Sequence, residues 1–141
     1  MVKIKTTTAP KKRAQPKTGD ERQEIFEKLK NILSAQVPPL TVSQDLPGRF
    51  ELISKKAVVI NGVKKPFVYF GSVIIQGSYV GLYLMHVYAR PDLLTSTGPA
   101  LLKTLKGKAC FHIRKLDSQL EKEISYAVKD GIACYRKLAF I

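Results

Sequence analysis

The first apolar stretch of the chain has the periodicity of an α-helix. After residue 20 the apolar residues recur every three or four positions and form one stripe. The stripe consists of Ile25, Phe26, Leu29, Ile32 and Leu33. Thr18 and Glu21 have the S/T-x-x-E spacing of a capping box, so we expect the helix to begin near Thr18. Because a proline nitrogen cannot donate a hydrogen bond, Pro38 and Pro39 are expected to end it.

The pattern changes to that of β-strands between Arg49 and Tyr88. Three runs rich in Val, Ile, Tyr and Phe read FELISKKAVVI, KPFVYFGSVIIQ and YVGLYLMHVY. Asn61-Gly62, a strong hairpin signal, separates the first two runs, and Gly77 separates the last two. We therefore predict three antiparallel strands in a meander. The runs are apolar almost throughout, which predicts helices on one face of the sheet and a second face that is also rather apolar or partly covered.

Two helices and a strand are predicted in the last third of the chain. A Gly-Pro pair precedes a helical stretch over 99–106, and Gly107 follows it as a stop signal. The alternating segment KACFHIRK predicts a fourth strand. Asp117 is expected to cap a final helix that ends at Gly131. The last ten residues, IACYRKLAFI, could form a short helix, a strand or an apolar tail packed on the core.

This order of elements, α-β-β-β-α-β-α, predicts an α+β fold. In such a fold an antiparallel sheet of about four or more strands carries its helices on one face. The 141 residues have room for one domain, which we expect to span 20–141 behind a tail of residues 1–19. No glycine-rich phosphate loop follows a strand, so dinucleotide-binding and P-loop motifs have no support.

The chain is strongly basic, with 24 Lys and Arg residues against 11 Asp and Glu residues and a net charge of +13. Six basic residues and no acidic residue lie in 1–19, which leaves +7 for 20–141. This tail is rich in Thr, Pro and Lys, a composition that predicts disorder. Because a basic tail attracts any polyanion, it is either an arm for nucleic acid or a solubilising leader.

Composition also bears on the compartment. No apolar run approaches the roughly 20 residues of a membrane-spanning helix, and the N-terminus lacks the apolar core of a secretory signal. Two cysteines, Cys110 and Cys134, do not make a disulfide framework. We therefore expect a cytoplasmic protein that does not act on a membrane.

The alternation of the third and fourth strands predicts one open sheet face. On the fourth strand Ala109, Phe111 and Ile113 are expected to face the helices, which leaves Cys110 outward. On the third strand the more apolar set is expected inward: Val80, Leu82, Leu84, His86 and Tyr88. Met85 then points outward with the tyrosines of that strand.

If these two strands are neighbours, their outward side chains combine aromatic rings with basic groups. This predicted binding face consists of Tyr79, Tyr83, Lys108, His112 and Arg114. Such a face can bind single-stranded nucleic acid or an acidic protein. The same residue types also occur on exposed sheet faces without a partner, and a slip of one residue in register would exchange the two sets.

Cys110 and His112 lie two residues apart and so share a face. Flanking cations favour a thiolate, the condition for a reactive cysteine. A Cys-His nucleophile, however, needs a third group that orients the imidazole, and a zinc site needs three or four ligands. Cys134 and His86 could complete such a site only if folding brought them together. The alternative is a pair of chemically inert side chains.

The first helix offers a second candidate, an acidic stripe opposite its apolar side. Asp20, Glu24 and Glu27 fall together there and could bind a hard cation such as iron through their carboxylates. More often such a stripe is only the solvated face of a helix.

Two stretches resemble a known family. FGSVIIQGSYVGLYLMHVY (70–88) followed by PALLKTLKGKACFHIRKLDSQLEKEI (99–124) is similar to the YdhG-like family of bacterial domains of unknown function. The matching residues are Gly81, Leu82, Tyr83, Leu105, Gly107, Lys108, Phe111 and Leu120. The resemblance covers about residues 20–137 and implies a frataxin-like fold. It also implies iron delivery through acidic residues of the first helix, although frataxins are acidic and this domain carries +7.

Three functions are therefore predicted as alternatives. The first is a non-enzymatic binding protein that needs no cofactor and takes an anionic or protein partner through the open sheet face and the basic tail. The second is frataxin-type iron binding at Asp20, Glu24 and Glu27. The third is a thiol-dependent enzyme or redox sensor at Cys110.

Overall fold

A computed structural model describes residues 21–141 of the chain. The predicted basic tail, the capping residue Thr18 and the candidate ligand Asp20 lie outside the described residues. The helices are α1 (Glu21–Ser34), α2 (Met85–Ala89), a 3₁₀ helix (Pro91–Ser96), α3 (Pro99–Leu102) and α4 (Ser118–Lys137). The strands are β1 (Thr41–Leu46), β2 (Arg49–Ser54), β3 (Val58–Ile60), β4 (Val63–Lys65), β5 (Val68–Gln76), β6 (Tyr79–Leu84), β7 (Leu105–Lys106) and β8 (Cys110–Ile113).

Six of the strands form one antiparallel sheet in the order β1-β2-β5-β6-β8-β7. The other two, β3 and β4, pair only with each other. The prediction of an α+β fold with an antiparallel sheet is confirmed, whereas the frataxin-like assignment stays a prediction. Within residues 21–141 no helix combines the length and the apolar character needed to cross a bilayer.

The core lies between one face of the sheet and the helices. Helix α1 packs on β5 and β6 and buries its apolar stripe, as its periodicity predicts. Helix α4 contributes Tyr135, whose ring meets that of Phe70 edge-on at 5.1 Å between centroids. Most of the residues predicted inward on the central strands are fully buried: Val80, Leu82, Leu84, Phe111 and Ile113. The prediction was wrong for Tyr88, which is 55% exposed because it lies on α2 and not on the strand, and Ala109 is half-buried. The opposite face of the sheet is therefore the open one.

Strand β1 was not predicted, because its sequence TVSQDL carries almost no β signal. It lies at the edge of the sheet, where only one side pairs, and most of its residues are exposed. A tight turn at Gly48, whose φ is 75°, joins it to β2. The Gly48 carbonyl accepts a hydrogen bond from the Ile75 amide at 2.9 Å, which ties the turn to β5.

The hairpin predicted at Asn61-Gly62 is present, and both residues have positive φ, 52° and 78°. The strands that lead into it are not the long ones predicted. Strand β2 of the main sheet ends at Ser54, and the next strand of that sheet, β5, begins at Val68. These two residues are paired. The segment between them forms the β3–β4 hairpin, which is separate from the main sheet. This separation was not predicted, because β-forming residues continue through both strand ends.

Several elements in the second half of the chain end at other residues than predicted. Strand β6 stops at Leu84, so Met85 and the buried His86 and Val87 lie on α2 instead of on a strand. Helix α3 ends at Leu102, and residues 105–106 form β7, which turns into β8. Gly107, with a φ of 76°, is the residue that makes this turn instead of ending a helix.

Gly131 does not end α4, which continues to Lys137. The prediction of a helix stop was wrong because this glycine serves packing and not chain reversal. A Cβ at Gly131 would lie 2.6 Å from Nδ1 of His86 and 3.0 Å from Cζ of Phe70. The helix therefore passes directly over two core rings at a position where only glycine fits. Its N-terminus was predicted correctly, since the Asp117 carboxylate accepts from the Leu120 amide.

Candidate functional site

The middle of the open face is a row of small and half-buried polar groups. The register places Glu51, Ser72, Tyr83 and Cys110 side by side across β2, β5, β6 and β8. Tyr69 bonds Ser72 through its hydroxyl at 2.5 Å, and burial raises the pKa of that hydroxyl to about 12. The Tyr69 hydroxyl is therefore uncharged at neutral pH.

Gly81, next to this row, leaves room for the side chain of Gln76. Its paired neighbours are Ile74 and His112, and a Cβ at Gly81 would lie 2.5 Å from Oε1 of Gln76. The Gln76 amide therefore lies across the glycine and accepts a hydrogen bond from the Tyr83 hydroxyl at 3.4 Å. Tyr83 is thus occupied within the sheet and only partly available to a partner.

Aromatic and basic side chains of the predicted binding face contact one another next to this row, toward the start of β6 and the end of β8. The rings of Tyr79 and His112 stack with their centroids 3.8 Å apart and their planes 14° apart. The Arg114 guanidinium lies 5.4 Å from the centre of the Tyr79 ring, and its Nη1 donates to the Ser78 hydroxyl at 3.2 Å. Tyr79, His112 and Arg114 therefore form one compact aromatic and cationic cluster.

This cluster borders a groove of about 470 Å³ that we call the basic groove. It is lined by Lys103, Thr104, Lys106, His112, Arg114 and Lys115. The four cationic side chains are exposed, and no carboxylate of residues 21–141 lines the groove. Among residues 21–141, the ion pairs Lys30–Asp45 and Arg90–Asp92 involve none of these cations. Such a groove attracts anions and repels cations.

The fold holds the groove through its short elements. Thr104, between α3 and β7, accepts a hydrogen bond from the His112 amide at 2.8 Å and so fixes the loop to β8. Lys106 stands on β7 opposite Cys110. His112 itself is half-buried, and burial, followed by the charges of Arg114 and Lys106, lowers the pKa of its imidazole. His112 is therefore neutral at pH 7, and the groove's charge comes from Lys and Arg.

Lys108 lies elsewhere. It precedes β8, and its Nζ sits 5.8 Å from the centre of the Tyr88 ring, beside a cleft also lined by Val87, Pro91 and Leu94. Of the predicted binding face, the structure brings together Tyr79, His112 and Arg114. Tyr83 lies one row away.

Three groove lysines were missed by sequence reasoning: Lys103, Lys106 and Lys115. The prediction of one helix over 99–106 hid the loop and the β7 strand that place the first two. A short Leu-Lys-Gly-Lys stretch before a strand is the only local signal for such a turn, and it is weak.

The candidate Cys-His site gains no further ligand or base. Cys134 is buried on α4 and His86 in the core, and residues 21–141 contain no group of three or more His, Cys, Asp or Glu that could hold a metal. Burial raises the pKa of the Cys110 thiol, although a hydrogen bond to Tyr83 partly opposes this. That direction is the opposite of what a reactive thiol requires.

We expect Cys110 to react with a thiol reagent at neutral pH more slowly than free cysteine, because its thiolate fraction is reduced. Stopped-flow labelling of the native protein measures this rate. Cys110→Ser assigns the signal, since the other thiol, Cys134, is buried and its pKa is also raised by burial. Labelling of Cys110 faster than free cysteine would contradict the expectation and favour a redox role.

Two of the three residues of the predicted acidic stripe lie within the described part of the chain. Glu24 and Glu27 are exposed on α1, and Glu27 accepts a hydrogen bond from Gln23 at 3.0 Å. Asp20 lies outside the described residues, so the three-carboxylate iron site stays a prediction. The described part of the stripe has the exposure of a solvated helix face.

Comparison of the chain with protein-family models, with curated proteins and with solved structures finds no match. The YdhG-like resemblance therefore stays a prediction.

Proposed function

We propose that this protein is a non-enzymatic binding protein that holds an anionic partner in the basic groove. The observation that carries the proposal is the groove's lining, in which four exposed cations face one cavity without a carboxylate. Lysine and arginine side chains bind the anionic groups of a polyanion with release of the partner's counterions. The stack of Tyr79 on His112 gives the same surface a planar, apolar edge.

The remaining cations strengthen the long-range attraction. The chain carries +13, of which +7 belongs to residues 20–141, so the whole molecule attracts a polyanion before the groove engages it. A basic tail of six cations adds a contact that depends on charge and not on shape. Nucleic acid and an acidic protein surface are the two partner classes that this charge fits. A cytoplasmic location and membership of the YdhG-like family complete the proposal.

Charge reversal in the groove is expected to weaken binding to heparin, a polyanion without bases, by roughly tenfold or more at low salt. The variant is Lys103→Glu, Lys106→Glu and Lys115→Glu in the full-length chain, and titration by fluorescence anisotropy measures the affinity. These side chains are exposed, so the variant is expected to fold.

The matched control carries the same change of charge on the β3–β4 hairpin and the residues before it: Lys55→Glu, Lys56→Glu and Lys65→Glu. These lysines are equally exposed and line no part of the groove. If both triple variants lose affinity equally, binding follows net charge alone and the groove is not the site. If the groove variant alone loses affinity, the proposal stands.

A further inference from the structure

The imidazole of His112 stacks on the Tyr79 ring with the centroids 3.8 Å apart. His112 also lines the basic groove, and it is half-buried and not fully covered. A flat ring fixed at the wall of a cationic groove is a platform on which a second flat ring can stack.

The ring is held in place by its surroundings. His112 lies between the fully buried Phe111 and Ile113, and its backbone amide donates to Thr104. The residue paired with it across the sheet is Gly81, and the Tyr79 ring stacks on the imidazole. A platform that is already ordered loses little conformational entropy when a ligand stacks on it.

The cations around the ring suit phosphates. Lys103, Lys106, Arg114 and Lys115 surround the same groove, so a ligand that stacks on His112 has negative groups within reach of cations. The imidazole is neutral at pH 7 because burial and its cationic neighbours lower its pKa, so it contributes a stacking surface without a charge. The groove's volume of about 470 Å³ is within the range of sites that take small planar ligands.

We infer that the anionic partner is single-stranded nucleic acid, with an unpaired base stacked on His112 and the flanking phosphates bound by the lysines and the arginine of the groove. This inference rests on the proposed function and names its partner class. Planar groups joined by phosphates are the chemistry of a nucleotide chain, whereas an acidic protein offers carboxylates without adjacent flat rings. A duplex keeps its bases stacked on one another, so its bases cannot reach the imidazole.

The test compares two strands that differ only in their bases: oligothymidine and an abasic strand with the same number of phosphates. We expect the full-length protein to bind oligothymidine more tightly than the abasic strand by roughly tenfold in anisotropy titrations at low salt. His112→Ala should remove most of this difference. His112→Phe, which keeps a flat ring, should retain it.

Two controls separate stacking from folding and from charge. His112→Ala should keep the wild-type thermal unfolding midpoint within a few degrees. Its loss of heparin affinity should be much smaller than its loss of oligothymidine affinity, because heparin has no bases. Equal affinity for oligothymidine and the abasic strand would overturn the inference. So would tighter binding of a duplex of the same sequence, or polyglutamate binding as tightly as oligothymidine. In each of these cases the proposed function survives if the groove charge reversal still weakens heparin binding by roughly tenfold or more. It fails if that variant binds heparin as the wild type does.

Discussion

Acidification from about pH 7 to pH 4 is expected to cost this protein about 3 kcal/mol of folding free energy through His86 alone. The imidazole is 1% exposed, and within the described residues its Nδ1 has no hydrogen-bond partner. Burial lowers its pKa to about 4 from an ordinary value of 6.5, and the charge of Asp130 opposes this only partly. The unfolded chain therefore binds a proton that the folded chain does not bind.

The direction of the effect follows from that difference. Above about pH 6.5 both states hold a neutral imidazole, so His86 contributes no dependence on pH. As the pH falls from about 6.5 toward 4, the unfolded state gains a proton and stability is lost, until the folded state also protonates near pH 4. Stability contributed by the neutral, buried ring is thus present above this window and absent below it.

Urea unfolding at a series of pH values measures the effect. His86→Leu removes the titrating group, so its stability should depend less on pH between about 6.5 and 4 than that of the wild type. The chain has two histidines, and His112→Ala is the matched control because it deletes the half-buried one and keeps His86. Identical slopes for the wild type and His86→Leu would show that the ring is not the cause. The slope is the quantity compared, since His86→Leu also changes packing.

Gly131→Ala is expected to destabilise the protein by about 1–2 kcal/mol, although alanine is the better helix former by about 1 kcal/mol. The added methyl would lie 2.6 Å from Nδ1 and 2.8 Å from Cε1 of His86. Both rings that it meets, His86 and Phe70, are buried and cannot move away without disturbing the core. The steric cost therefore exceeds the gain in helix propensity.

Thermal or urea unfolding of the variant tests this sign. The control is Gly77→Ala, where an added Cβ meets no atom within 4 Å, and it should leave stability nearly unchanged. A second test repeats Gly131→Ala in a His86→Ala background, where the two closest atoms are gone. There the cost should fall, with a coupling energy of about 0.5–3 kcal/mol between the two sites. If Gly131→Ala stabilises the protein, helix α4 is not held against His86 in the way described.

The elements that sequence reasoning predicted well are those whose burial follows a period. Leu29 and Leu33 on α1 repeat with the helix, and Leu82 and Phe111 alternate with their strands, so each marks its inward face. Strand β1 has no such period because it lies at the edge of the sheet and is mostly exposed. Its position depends on pairing with β2, which is a tertiary contact that the local sequence does not record.

The role of a glycine is likewise not predictable from the local sequence. Gly107 and Gly131 both follow apolar helical patterns, and both were predicted to stop a helix. One makes a turn between β7 and β8, and the other allows helix α4 to approach His86. The choice between a stop, a turn and a close contact depends on what lies across the fold, which a single sequence does not show.

Only the site residues on or next to the strands β6 and β8 were predictable from the sequence. Alternation placed Tyr79, His112 and Arg114 on the same face, and the pairing of β6 with β8 brought them together. Lys106 and Lys115 reach the groove from a two-residue strand and a loop, elements whose positions are fixed by contacts across the chain. The stacking of Tyr79 on His112 likewise depends on a register that alternation alone leaves open.

The β3–β4 hairpin leaves the main sheet after Ser54 and returns to it at Val68, the residue paired with Ser54. Its tip, Asn61-Gly62, is exposed, and no strand of the six-stranded sheet pairs with it. The hairpin can therefore change in length without shifting any register of that sheet. Val58 and Ile60 of β3 pack against the core, so a change confined to the tip leaves these contacts in place. A fluorescent label or an epitope inserted at the tip is therefore expected to preserve the core and the groove.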